Sequence, residues 1–332
     1  METRRVQLIG GSTYVVSLPK RWVRESSIAK KSEVGLISQK NGYLIVVPEP
    51  KALESQKEGV VRVRNEDDDK FISRSIIARY LNGCDVIRVV SDKRLTVAQI
   101  DEIKSTCRKL IGLETIEEIS NEIALHSLLN LQELEILKGI GRAHAIASSM
   151  QSDAIKALQE ADPELARSTI QRDSDVDRMY FLTIRQLRLA CLNPELANRL
   201  GLEPVNCLDY ESVIKRIEHI ADHAERMAGH VLDLSDVEVN DGIIEGLVDI
   251  NNDSLHIHTG AMQALFNGNV ELANEVIDLR DGIREKRLGL GKHLARASVV
   301  VNIKVNAMLD SMERIADYGT DIAEVAINQS QS

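Results

Sequence analysis

Aromatic residues are scarce in this 332-residue chain, which has one Trp, three Phe and six Tyr, 3% of the sequence in all. That shortage suits aliphatic helix packing better than a β-sandwich, so the bulk of the chain is expected to be helical. Cysteine is sparse too. Cys84, Cys107, Cys191 and Cys207 stand far apart with no CxxC pair, which gives no zinc or redox motif and leaves them to be read as buried thiols. No apolar run reaches the roughly eighteen residues of a membrane span. The charged start, Met1 to Arg5, has no signal-type apolar region behind it. The expectation is a cytoplasmic protein with no membrane insertion. There is also no Walker-type Gly-rich loop, no convincing Ser/His/Asp set, and a single Asp253-Ser254-Leu255-His256 where a di-metal oxidase would carry paired Glu-x-x-His motifs. An enzyme is not expected.

What is present is an ordinary globular composition, 43% apolar and 28% charged, in a chain long enough for two or three cores. The net charge of −10 is unevenly spread. Residues 1–31 carry Arg4, Arg5, Lys20, Arg21, Arg24, Lys30 and Lys31 against Glu2 and Glu25, a net +5 that leaves −15 on the remainder.

Three regions follow from pattern and punctuation: 1–50, 51–129 and 130–332. In the first, Arg4 to Ile9 alternates toward Gly10-Gly11, and Tyr14 to Leu18 is β-branched and aromatic. Pro19 suits the first turn of a brief helix, and Val34 to Ile37 and Tyr43 to Val47 flank a Lys40-Asn41-Gly42 turn. Pro48 and Pro50 mark the boundary. The second region reads as a small α/β unit. Val60 to Val63 precedes a helix from about Asp67 to Leu81 stopped by Asn82-Gly83, and Asp85 to Val90 precedes a helix capped by Thr96 and ended by Gly112. Strand-like segments around Leu113 to Ile119 and Ile123 to Leu129 complete it. The acidic run Glu66-Asp67-Asp68-Asp69 fits a helix N-terminus. From Leu131 onward, breaks near Asp162-Pro163, Asn193-Pro194 to Asn206, Ser235 to Asn240, Asn267-Gly268 and Gly289 to Gly291 divide about six long helices. Ile217-Glu218-His219-Ile220-Ala221-Asp222 recurs ninety-five residues later as Met312-Glu313-Arg314-Ile315-Ala316-Asp317, so two three-helix units in tandem are expected.

The string Arg4-Arg5-Val6-Gln7-Leu8-Ile9-Gly10-Gly11-Ser12-Thr13-Tyr14-Val15-Val16-Ser17-Leu18-Pro19-Lys20-Arg21-Trp22 resembles the AbrB, SpoVT and MazE family of swapped-hairpin transcription factors, through Asn41-Gly42 to Val47-Pro48. The resemblance implies that two chains interlace their hairpins and present Arg4, Arg5, Ser12, Thr13, Lys20 and Arg21 to DNA. Independently, about fifty residues with one Trp make too small a core to stand alone, which points to a homodimer. A solvated basic surface, or a hairpin used only to dimerise, is the alternative.

On helices, Asp173 and Asp177, Glu218 and Asp222, and Glu313 and Asp317 pair at i, i+4. In the 217–228 helix the apolar face centres on Ile217, Ala221, Ala224 and Ala228, with Glu218, Asp222 and Glu225 on its flank, at a seam where like charges repel unless solvent or a cation relieves them. Here the chain resembles the PhoU family over roughly 125–328, in Asp173-Ser174-Asp175-Val176-Asp177, in the stretch from Arg216 to Glu225, and in Glu313 to Asp317. The resemblance implies paired three-helix repeats whose acidic motifs hold a divalent or iron-type metal ion. In the fourth motif Arg280 and Arg284 stand opposite Asp173 and Asp177; a one-residue shift recovers Asp281 and Glu285 as weaker ligands, and the alternative is a positively lined second site that has lost its metal. His219 or His223 would add nitrogen and favour a transition metal. A solvated acidic face is the other reading. His256-Ile257-His258 alternates on a helix and is read as structural.

The fold expected is therefore multidomain and mainly α, with a swapped-hairpin β domain, a small α/β middle unit and a tandem three-helix bundle. The function implied is a DNA-binding regulator of phosphate uptake and homeostasis. The alternative is an adaptor that docks on a phosphate transporter ATPase or a sensor kinase without touching DNA.

Overall fold

In the computed structural model, which describes residues 2–39, 42–48, 56–64, 66–130 and 135–331, the chain divides by its contacts into two units, Met1–Gln56 and Lys57–Ser332. The first holds β1 (Gln7–Ile9), β2 (Thr13–Val15), α1 (Lys20–Glu25), β3 (Gly35–Ser38) and β4 (Leu44–Val47). β1 pairs antiparallel with β2 across Gly10 and Gly11, both at positive φ, and β3 pairs antiparallel with β4. Gly42 turns at φ +83°, the conformation an Asn-Gly turn requires; Lys40, Asn41 and Pro50 lie outside the described residues. Two expectations change in detail. The first two strands are shorter than the alternating stretches, and Pro19 is the N-cap of α1 with an extended ψ of 127° rather than a residue of its first turn. Among the described residues 2–48 none is buried: Val6, Leu8, Tyr14, Leu36 and Tyr43 are all more than half exposed.

The second unit begins with a four-stranded sheet, β5 (Glu58–Val63), β6 (Val86–Ser91), β7 (Leu113–Ile119) and β8 (Glu122–Ser127), in the order β5-β6-β8-β7. β5 runs parallel to β6, and the other pairings are antiparallel. Along β5 every second residue is buried, as a sheet covered on one face requires. The covering helices are α2 (Asp69–Leu81) and α3 (Val97–Lys109), which contribute Ile72, Ile76, Tyr80 and Ile103 to the core. Their ends follow local chemistry. The Asp68 carboxylate accepts from the Lys70 N–H, Gly83 stops α2 at φ +81°, and Thr96 and Gln99 form a reciprocal capping box.

The bundle consists of α4 (Ile136–Gln159), α5 (Pro163–Leu192), the short α6 (Pro194–Arg199), α7 (Pro204–Asp233), α8 (Asp241–Asn267), α9 (Val270–Asp278), α10 (Arg280–Leu294) and α11 (Val299–Ser330). α9 and α10 form one rod interrupted at Leu279, so there are six long rods, with α6 inside the expected 193–206 break. The break expected at Gly289 to Gly291 is absent. Helix α10 runs through both glycines because Leu290 and Leu294 are buried in the bundle core, and Gly246 of α8 leaves the space that Leu290 fills. Tertiary burial outweighs the roughly 1 kcal/mol that a glycine costs a helix.

Bundle and sheet keep separate cores. They meet at Arg185 of α5, 1% exposed, whose guanidinium donates to the Tyr80 and Cys84 carbonyls, lies 4.7 Å from the Tyr80 ring centroid and stands 3.5 Å from Asp85. Inside the bundle, buried His258 contacts His144 (2.9 Å) and Gln151 (2.8 Å), while His256 faces solvent. Cys84, Cys107 and Cys207 are buried, but Cys191, in the last turn of α5, is exposed.

Candidate metal centre and nucleic-acid face

Residues of α5 and α7 meet along a seam of small side chains, with Ala221 and Ala224 fully buried. One turn of α5 carries Asp173 and Asp177, and the facing turns of α7 carry Glu218, Asp222 and Glu225. Asp173, Asp222 and Glu225 each bring a carboxylate oxygen to within 4.8 Å of the other two, and all three are half-buried. Burial first, and then the carboxylates of Asp177, Glu225 and Asp222, push the Asp173 carboxyl up to about 7. Burial and Asp222, Asp177 and Asp173 likewise raise Glu218 to about 7, and burial with Asp222 raises Asp177. The guanidinium that approaches this group is Arg226, 3.5 Å from Asp222. Five carboxylates crowded into a half-dry seam, three of them converging from two helices, form an oxygen-rich donor set that fits a divalent or iron-type cation.

The expected ligands Asp173, Asp177, Glu218 and Asp222 are thus brought together. Glu225, noted on the flank but not among the expected ligands, joins them. Extending the i, i+4 stripe by the i+3 neighbour of Asp222 would have found it. His219 and His223 stay outside the convergent group and pack toward α11. Their rings lie 5.1 and 5.9 Å from the Tyr318 ring, burial lowers the pKa of both, and the Nδ1 of each is buried without a hydrogen-bond partner among the described residues. The Nε2 of His219 stands 3.5 Å from Glu218.

In the second half the same motif on α11 meets different neighbours. Arg280 of α10 donates to Asp317 at 2.6 Å, and Arg287 reaches Glu313 at 2.8 Å and Asp310 at 2.7 Å. Asp281 and Glu285 are exposed, and neither belongs to a convergent donor group among the described residues. Arg287 was not foreseen. It lies seven residues, two helical turns, after Arg280 and so on the same face.

In the N-terminal unit, Arg5, Ser12, Thr13, Lys20 and Arg21 are exposed; Arg4 pairs with Glu2, and Arg21 with Glu25 at 2.8 Å. Ser12 and Thr13 stand where the first hairpin turns into β2.

The model of the PhoU domain matches residues 140–231 and 247–326, just over half of the chain, one stretch in each three-helix repeat. The chain belongs to the PhoU family. A second model, for the antidote-toxin recognition domain of the bacterial antitoxin MazE, matches residues 7–54, ahead of the PhoU domain. The phosphate-specific transport system accessory protein PhoU homolog 2 of Thermotoga maritima is 28% identical over 218 residues, 62% of this chain and 89% of that protein. The corresponding PhoU homolog of Pseudomonas putida is 24% identical over 150 residues, 44% of this chain and 56% of that protein. The crystal structure of PhoU from Pseudomonas aeruginosa shares the fold, with a TM-score of 0.53 at 18% identity over 59% of this chain and 95% of that one. The matched families are regulatory rather than enzymatic. No helix among the described residues is long and apolar enough to cross a membrane.

Proposed function

We propose that this chain is a DNA-binding regulator of phosphate uptake, in which the MazE-type unit grips DNA as a homodimer and the PhoU domain serves as a metal-holding sensor. The observation that carries this reading is the union, in one chain, of a PhoU domain with a basic hairpin unit that buries none of its described residues. A fold with no interior of its own needs a partner, and a second copy interlacing its hairpins supplies one while doubling the +5 face. Regulation of phosphate uptake as the subject is supported by the transport-system names of the T. maritima and P. putida relatives.

In the PhoU domain, Asp173, Asp222 and Glu225, with Glu218 and Asp177 beside them, would hold the cation, which when bound supplies positive charge that offsets their mutual repulsion. The carboxylates themselves position the two helices: α5 and α7 are joined wherever oxygen donors from both must converge on one point. A change in their charge balance therefore bears on how closely α5 can approach α7.

Fluorescence anisotropy with promoter fragments of phosphate-uptake operons tests the DNA reading. Salt-sensitive binding by the full chain is expected. Arg5→Ala or Lys20→Ala should flatten the slope of log K against log salt by about one unit for each DNA phosphate that is no longer neutralised. No binding to any such fragment, with the dimer intact, would leave the adaptor on a transporter ATPase or sensor kinase as the better reading. That second reading is favoured by the accessory-protein names of relatives matched over only part of this chain.

A further inference from the structure

We infer that the second half of the PhoU domain takes no metal at its acidic seam, because Arg280 and Arg287 hold the place a cation would take, so that metal binding by this chain is confined to the first half. The part about the first half rests on the metal reading proposed above; the part about the arginines does not.

The two halves offer an internal control. Glu218 to Asp222 on α7 and Glu313 to Asp317 on α11 have the same spacing and the same Ile-Ala-Asp ending. They differ in what faces them. Helix α5 brings Asp173 and Asp177 to the first motif, whereas the α9/α10 rod brings guanidinium groups to the second. Among the described residues, the five carboxylates of the first seam have one guanidinium within ion-pair distance, that of Arg226, and the His219 ring beside Glu218, while Lys109 and Lys215 act on Asp177 and Glu218 without forming an ion pair. In the second, Arg287 pairs with both Asp310 and Glu313, and Asp317 meets both Arg280 and Arg314, so every carboxylate of the seam has a guanidinium within ion-pair distance. Lys286, the residue before Arg287, bridges Asp249 and Asp253 of α8 at 2.9 and 2.5 Å, so the acidic side chains that α8 presents there are also neutralised.

Geometry points the same way. Arg287 and Glu313 are each about three-quarters buried, so this pair is shielded from the solvent that weakens surface ion pairs; Arg280 is buried to the same degree, and its partner Asp317 is 38% exposed. A divalent ion entering the second seam would have to displace a guanidinium that already donates directional hydrogen bonds, and would sit against the other arginine's like charge. Among the described residues the one group of three convergent metal-type donors is in the first half. The arginines thus do in the second half, permanently, what a bound cation would do in the first: they tie the third helix of the repeat to the second.

Mn²⁺ titration of the full chain, read by bound metal per chain and by melting temperature, tests this. Glu313→Gln with Asp317→Asn should leave bound Mn²⁺ unchanged and lower the melting temperature equally in Mn²⁺ and in chelator. Arg280→Gln with Arg287→Gln should add bound Mn²⁺, with a Mn²⁺-dependent rise in melting temperature that survives Glu218→Gln with Asp222→Asn. If the double arginine variant does not fold, Arg287→Gln alone should show a smaller gain of the same sign, because Arg280 still holds Asp317. Loss of Mn²⁺ from the Glu313→Gln, Asp317→Asn variant, or no added Mn²⁺ once the arginines are removed, would overturn the inference. Should the wild type bind no Mn²⁺ at all, the metal reading of the first half fails, and the gain in the arginine variants still decides whether they act as the lock.

Discussion

The two halves of the PhoU domain carry one motif and two electrostatic solutions. In the first, Asp173 and Asp177 face Glu218, Asp222 and Glu225, and burial, then the neighbouring carboxylates, push the Asp173 and Glu218 carboxyls up to about 7. In the second, Arg280 and Arg287 face Asp317, Glu313 and Asp310 in close pairs. An acidic stripe on a helix therefore has no function of its own. The helix opposite decides whether the stripe is a repelling cluster short of cations or a finished ion-pair network.

The contrast between the halves fails most visibly if the first does not respond to metal. Saturating metal at about 100 times Kd should stabilise the wild type by about 2.7 kcal/mol. Glu218→Gln with Asp222→Asn should abolish that gain while raising the melting temperature of the metal-free protein, because two mutually repelling carboxylates are gone; calorimetry in metal and in chelator measures both. Opposite signs are expected in the second half. Glu313→Gln with Asp317→Asn strips charge from partners of largely buried arginines and should cost about 1–2 kcal/mol with or without metal, read from denaturant midpoints.

A subtler contrast is expected in the pH dependence. A carboxylate whose folded pKa lies above its unfolded value, about 4, binds its proton more tightly in the native state. Its contribution to stability is therefore greatest at the acid end and falls as pH rises through the window to about 7, the value for Asp173 and Glu218. Metal-free wild type should lose stability across that window more steeply than the Glu218→Gln, Asp222→Asn variant, whereas Glu313→Gln with Asp317→Asn should leave that slope in place. Equal slopes in the wild type and the first-half variant would mean that the crowding of the first seam has no thermodynamic weight.

Much of this molecule is legible from residue order because the signals are local. Asn82-Gly83 and Asn267-Gly268 end helices where a left-handed residue is needed, Thr96 and Gln99 cap each other three residues apart, and Asp162-Pro163 opens a helix with a capping carboxylate. The Ile-Ala-Asp repeat announced two equivalent halves, and i, i+4 spacing put each acidic pair on one face. The basic first thirty-one residues were equally plain to read. What residue order left open was which faces meet. That Glu225 joins Asp173, that Arg287 reaches Glu313, that Arg185 is sealed between sheet and bundle, and that α10 passes through Gly289 and Gly291, are all outcomes of contacts between residues far apart in the chain. Such contacts are settled by burying the whole bundle core at once, and the sum of that burial exceeds any local preference of a glycine, a charge or a cap.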